Sequence, residues 1–294
     1  MKAGIAYSFL ASVLFASMPA YLQWFPPSVH SFAIIGQRIT WTCIFLLTVF
    51  VISGQLRKVL QPAMKPKNWP GLLAGTLLIS IPWSLFVWGP LNGETLAVAL
   101  GFFLGPLLLV LVGLVVFKER LSFLQWLATG LTILAVISSI WLTGGFSWIA
   151  ITIAICFALY VVLRKYQPVP VLSAFFIENL VLLPAGTWAC MEFDGVAHPF
   201  AYDPAMLLKF SGVAVLGTLG MSCWLSASRK LPLTLLGLMS YLEPFFIFLV
   251  AIIFLAEAPG PGEGLAYALI GLSVLVLVAD GIRHLKRNPL PATK

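Results

Sequence analysis

Residues 239–259 read MSYLEPFFIFLVAIIFLAEAP, from Met239 to Pro259. Sixteen of these twenty-one residues are apolar, yet Glu243 and Pro244 stand side by side near the start. A run of this length matches the roughly 20 residues needed to cross a bilayer core of about 30 Å. Similar runs recur along the whole chain of 294 residues, which is 61% hydrophobic and 9% charged, with a mean hydropathy of +1.03. A soluble domain carries about a quarter charged residues, so this chain has too few to cover a water-facing surface. The composition implies an all-α integral membrane protein. Transmembrane β-strands would be about ten residues long and alternate in polarity, whereas these runs are longer and uniformly apolar.

Ten hydrophobic segments are expected, at about 4–24, 32–53, 71–91, 95–117, 122–142, 146–163, 172–191, 207–228, 233–255 and 264–283. The breaks carry turn chemistry, as in Phe25-Pro26-Pro27, the Lys- and Pro-containing 54–70, Gly144-Gly145 and Pro259-Gly260-Pro261-Gly262. A cleaved signal peptide is the rival reading of the first segment, but the run is long for a signal core. With the N-terminus in the cytoplasm, 15 of the 17 lysines and arginines fall in cytoplasmic connections or the tail. Cationic segments resist translocation, so this bias places both termini in the cytoplasm. It also accounts for the net charge of +7 without nucleic acid.

The opening stretch has a counterpart in LGFFLGPLLLVLVGLVVFKERL, residues 100–121. In each, a proline is followed thirteen residues later by a glutamate, Pro106 to Glu119 and Pro244 to Glu257. One copy lies in the fourth segment and the other in the ninth. Five is an odd offset, so the copies face opposite ways across the membrane. The expected architecture is two inverted five-helix repeats, 1–143 and 144–294, a plan common among transporters that alternate access to a central site.

The ordered set of Gln37-Arg38, SLFVW with Trp83 and Trp88, LGFF with Pro106 and KERL, FALYVVLRK, IENLVLLP, RKLPLTLLG and Asp280 resembles the RarD-type permeases of the EamA, or drug/metabolite transporter, superfamily. The resemblance covers nearly the whole chain. It implies a ten-helix inner-membrane permease, exporter-like, for small molecules. The chain departs from the pattern where Gly105 precedes Pro106 and Ala97 stands earlier, since RarD-type relatives often have asparagine and glutamate there. Pro82 replaces an asparagine before Trp83, and Glu243 replaces a glycine before Pro244. Polarity has moved from one half to the other.

Glu243 falls near mid-membrane, where an ionised carboxylate facing lipid would cost several kcal/mol. It is expected to face the bundle interior, beside a helix opened by Pro244, as an ion or substrate group or as a structural hydrogen bond. Arg38 and Glu178 lie about seven residues into the second and seventh segments, each roughly 10 Å below its own surface. Arg38 is expected to pair with Glu178 or Glu243, as a gate or a permanent ion pair, or to receive an anionic substrate group. Trp83, Trp88, Tyr160, Tyr241 and Trp224 are candidate cavity aromatics, with core packing as the plainer alternative. Gly71 and Gly75 form a small face for close helix packing.

Cys43, Cys156, Cys190 and Cys223 have neither zinc nor disulfide spacing. His198, with Glu192, Asp194 and Asp203, reads as a solvated outer loop rather than a metal site. No phosphate loop, HExxH or other catalytic motif is present, so neither an enzyme nor a cofactor is expected. Partners are a small-molecule solute, the lipid bilayer and coupling protons, with a homodimer as a candidate assembly. The function expected is secondary transport, probing Glu243, Pro244, Glu178, Arg38, Tyr241, Trp83, Trp88 and Pro106 as the pathway. The alternatives are a passive facilitator and a non-transporting scaffold or sensor subunit.

Overall fold

The computed structural model describes residues 2–22, 24–91, 95–143 and 148–243. Beyond these it describes 245, 246, 249, 264, 265, 268, 269, 271–273, 275, 276, 279 and 280. Every regular element among them is helical: α1 (Lys2–Leu22), α2 (Ser31–Ile52), α3 (Leu56–Leu60), α4 (Trp69–Leu91), α5 (Thr95–Val115), α6 (Phe123–Thr143), α7 (Trp148–Tyr166), α8 (Val171–Asp194), α9 (Pro204–Lys230) and α10 (Leu233–Met239), with two short 3₁₀ turns between α3 and α4. Backbone groups in hydrocarbon have no water to bond, so apolar segments of this length close their hydrogen bonds within themselves. Among the described residues six helices are long and apolar enough to cross a membrane, and parts of α5 and α6 form shorter apolar helices. The tenth expected segment contributes helical residues between 264 and 280, and Pro244 and Glu257 lie outside the described residues.

Local signals set several helix ends. The Asp203 carboxylate accepts from Met206 N at 2.9 Å, with Pro204 in the first turn of α9. Ser122 and Gln125 cap one another ahead of α6, with N–H···O contacts of 3.0 and 3.2 Å. α8 ends at Gly195, whose φ of 64° is the left-handed conformation that glycine adopts freely. The ninth segment is not one continuous helix. α10 stops at Met239, and Ser240 and Tyr241 form a turn before helix resumes at Leu242. The bonds there tighten to the three-residue type, Tyr241 N to Leu238 O at 3.3 Å and Glu243 N to Ser240 O at 3.4 Å.

The helices pair mostly across long stretches of sequence. α1 runs antiparallel to α9: Tyr21 donates to Lys209 O at 3.1 Å, and Gly4 lies against Lys230 and Leu231. α2 packs on α8 and α9, and α4 packs on α7 and α8. α5 packs on α7 and α10, with Gly237 against the Pro106 carbonyl. α6 meets the tenth segment through Thr132 and Ser273, 3.2 Å apart, and through Ser122, which donates to Asp280 at 3.0 Å.

One end of the bundle gathers the start of α1, the 53–68 connection, the 116–122 loop and the ends of α7 and α9. These carry Lys2, Arg57, Lys58, Lys65, Lys67, Lys118, Arg120, Lys165, Arg229 and Lys230. Arg164 is the exception. α7 continues past the expected boundary at 163 to Tyr166, and its last turn carries Arg164 into the protein rather than into a solvated loop.

The α2–α8 crossing depends on bare backbone. A methyl group at Gly36 would collide with the Gly186 carbonyl oxygen, and one at Gly186 would lie 3.3 Å from the Gly36 oxygen. Gly36→Ala is expected to lower stability by about 1–3 kcal/mol through overpacking. Gly130→Ala, at an exposed position with nothing within 4 Å, is expected to be neutral or slightly stabilising. Thermal unfolding of both purified variants in detergent checks the contrast, and equal melting temperatures would contradict the close crossing.

Candidate functional site

The interior holds two centres of charge, one in each half of the bundle's thickness. In the cation-rich half, Arg164 Nη2 lies 3.1 Å from Glu178 Oε1, and both side chains are 1% exposed. Tyr160, one turn before Arg164 on α7, donates to Glu178 Oε2 at 3.0 Å. Arg164 Nη2 also donates to the Gly71 carbonyl at 3.0 Å. Gly71 and Gly75 leave α4 bare at this level, and a methyl group at Gly75 would collide with both charged groups. The cluster is under-satisfied, because Nε and Nη1 of Arg164 and Oε1 of Glu178 have no hydrogen-bond partner. The expected pairing of Arg38 with Glu178 is therefore replaced by Arg164. α4 packs on both α7 and α8, and the two charges meet over its bare backbone at Gly75.

Arg38 lies in the other half, on α2, with its guanidinium carbon 3.9 Å from the centroid of the Trp83 ring on α4. Met18 of α1 and Arg38 both converge on Gly217 of α9. Phe15 meets Trp83 edge-on at 6.1 Å, Phe86 lies 6.3 Å from Trp83, and Phe102 lies 5.5 Å from Phe86. No carboxylate among the described residues is within ion-pair distance of Arg38, so the expected pairing with Glu243 is also not made. Arg38 Nε and Trp41 Nε1, one turn apart on α2, are buried donors without hydrogen-bond partners, as is the acceptor Gln37 Oε1.

The remaining candidates are placed separately. Glu243 is half-buried, two residues past the interrupted turn of the ninth segment, and has no ion-pair partner among the described residues. Tyr241 is fully buried against Ala135, Val136 and Leu104, so it packs between α5 and α6 rather than beside Trp83. Trp88 packs on Ile149 and Ile153 of α7. Tyr160 serves Glu178, and Trp224 donates to Ser240 at 3.3 Å while lying 5.0 Å from Phe157. Pro106 stays within α5, where it leaves the Phe102 carbonyl without its usual helical donor.

Both ends are tied. At the Arg38 end, Asp194 accepts from His30 N and from the Tyr202 hydroxyl, each at 2.8 Å, and His30 stacks on Phe193 at 4.6 Å. Burial and the Asp194 carboxylate push the Tyr202 phenol well above its ordinary range. The acidic loop is solvent-exposed at Glu192, His198 and Asp203, as expected, while Asp194 ties it to the start of α2. At the other end, Glu119 accepts from Leu233 N at 2.9 Å and lies 3.7 Å from Lys165. Arg229 donates to the carbonyls of Arg164, Gln167 and Val169. Among the described residues no group of three or more His, Cys, Asp or Glu could hold a metal ion.

The model of the EamA-like transporter family matches residues 2–141. The chain is 34% identical to the chloramphenicol-sensitive protein RarD of Pseudomonas aeruginosa, over 97% of this chain and 96% of that one. The chain is a RarD-type member of the EamA-like transporter family. An uncharacterized transporter of Pasteurella multocida is 31% identical over 98% of this chain and 99% of its own length. Protein RarD of Escherichia coli is 28% identical over 98% and 97%. A solved crystal structure at 18% identity shares the fold, with a TM-score of 0.71 over 96% of this chain and 99% of that one. As an EamA-like protein the chain is a multi-pass membrane transporter, and its two centres of charge are to be understood in that setting.

Removing one partner of a buried ion pair leaves the other charge uncompensated. Glu178→Gln is expected to cost about 3–5 kcal/mol of stability. Arg164→Met combined with Glu178→Leu is expected to recover most of that loss. Unfolding of the purified variants in mixed micelles checks this, and a double variant no more stable than the single one would contradict the pairing.

Proposed function

We propose that this protein is a secondary permease that moves a small organic solute, such as a drug, amino acid or metabolite, by alternating access. The moving parts are two inverted five-helix halves, 1–143 and 144–294, in the inner membrane with both termini cytoplasmic. Transport runs outward and is coupled to protons, with Glu243 as the group that carries the proton. The observation that carries this reading is the set of charged groups kept at membrane depth inside an EamA-like bundle: the Arg164–Glu178 pair and, with no ion-pair partner among the described residues, Arg38 and Glu243. Such groups are costly in hydrocarbon and mark ion and substrate pathways.

The helix pairings support the inverted plan. A twofold axis exchanging the halves would map the α1–α9 contact onto α7–α4, and the α2–α9 contact onto α8–α4, and both members of each set occur. It would leave α2–α8 and α5–α10 unchanged, and these pairs also occur. The cations collected at one end support cytoplasmic termini. The printed name of the Pseudomonas aeruginosa relative, a chloramphenicol-sensitive protein, agrees with a drug-sized cargo.

The test is flux through proteoliposomes of purified protein under an imposed pH gradient, with a panel of amino acids and small amphipathic drugs. Gradient-driven flux is expected in wild type and is expected to fall at least about ten-fold in folded Glu243→Gln. Flux that ignores the gradient would instead indicate a facilitator. Absence of flux for every solute in the panel would favour a non-transporting subunit.

A further inference from the structure

We propose that Arg38 and Trp83 form the recognition subsite, and that it takes a small amphipathic monoanion: a carboxylate on the guanidinium, with its apolar body among Phe15, Met18, Trp83 and Phe86. The inference rests on the transport reading above and names a substrate class for it. Three observations carry it. The guanidinium is stacked on an indole ring inside the bundle, and no carboxylate among the described residues answers it. Its Nε and the indole Nε1 of Trp41 are both buried donors without partners, within one turn of α2. The surrounding groups are aromatic rings and a thioether from α1 and α4, set against the bare backbone of α9 at Gly217.

Buried donors in native proteins are almost always satisfied, by protein, water or a bound group, so orphaned ones within one turn of a helix point to what is bound. An anionic oxygen is the strongest acceptor available to them, and a guanidinium fork suits the two oxygens of a carboxylate. Arg164 supplies the internal comparison. Two of its nitrogens also lack hydrogen-bond partners, but its charge is met by a resident carboxylate and a backbone carbonyl, whereas Arg38 rests on the face of Trp83 with no carboxylate beside it among the described residues. Cation–π stacking fixes the guanidinium plane while leaving its edge free for an acceptor. One cation balances one negative charge, which selects a monocarboxylate over a phosphate dianion. The ring walls select a solute with an apolar body.

The experiment titrates purified protein in micelles with 3-phenylpropionate and, separately, with 3-phenylpropionamide, which has the same shape without the charge. Binding is followed by tryptophan fluorescence and calorimetry. Saturable binding of the acid is expected, with the amide about ten-fold weaker or more. Arg38→Gln is expected to bring the acid down to the level of the amide, and Arg38→Lys to retain part of the preference. The acid–amide comparison in wild type stands even if a variant fails to fold. Equal affinity for acid and amide, binding of the acid unchanged in folded Arg38→Gln, or no saturable binding of the acid at millimolar concentration would each overturn the proposal. Proteoliposome flux of an uncharged solute separates the two readings. With such flux and no acid binding, the subsite is wrong and transport stands. With Arg38-dependent acid binding and no flux, the subsite stands and transport fails.

Discussion

The cation-rich half of the bundle is organised around the contact between Arg164 and Glu178. Two opposite charges withdrawn from water need one another, and they need room. The room comes from the bare strip of α4 at Gly71 and Gly75, and any side chain at Gly75 would occupy the space of the charges. α4, α7 and α8 are therefore brought to one level by a constraint that is electrostatic at its centre and steric at its edge. Arg229 then ties the α7–α8 turn to the end of α9 through three backbone carbonyls. The 116–122 loop joins the same assembly through Glu119 and Lys165.

The other half is built on the opposite principle. Arg38 has no carboxylate within ion-pair distance among the described residues and rests on Trp83, while the start of α2 and the end of α8 are held together at Asp194. A paired charge at one level and, among the described residues, an unpaired cation at the other make the two levels chemically unlike. The break at Ser240 and Tyr241 lies just before Glu243, where the backbone bonds shift to the three-residue type.

Much of this could be seen in the residues beforehand. Run lengths and cation bias gave the membrane class and most helix limits, because hydrophobic thickness and charge act on local sequence. The close packing at Gly71 and Gly75 followed from four-residue spacing alone. What sequence could not give was partnership across the fold. Arg38 and Glu178 lay at matching depths, and depth alone could not tell which cation reaches which acid. The usable signal for Arg164 was its four-residue spacing from Tyr160 on an unbroken helix, which places both on one face. The tie at Asp194 left no comparable trace, since its members are scattered between residues 30 and 202 and meet only through tertiary packing.

The mate of the first helix is encoded almost at the far end of the chain. Tyr21 and Lys209 touch across 188 residues, and that contact belongs to an interface running the length of α1. During synthesis, therefore, α1 enters the bilayer and must stand among lipids alone while most of the polypeptide is still to be made. Its own apolarity has to hold it there, because the surface that will finally cover it does not yet exist. The bundle closes late, from a part made well after the first helix back onto it.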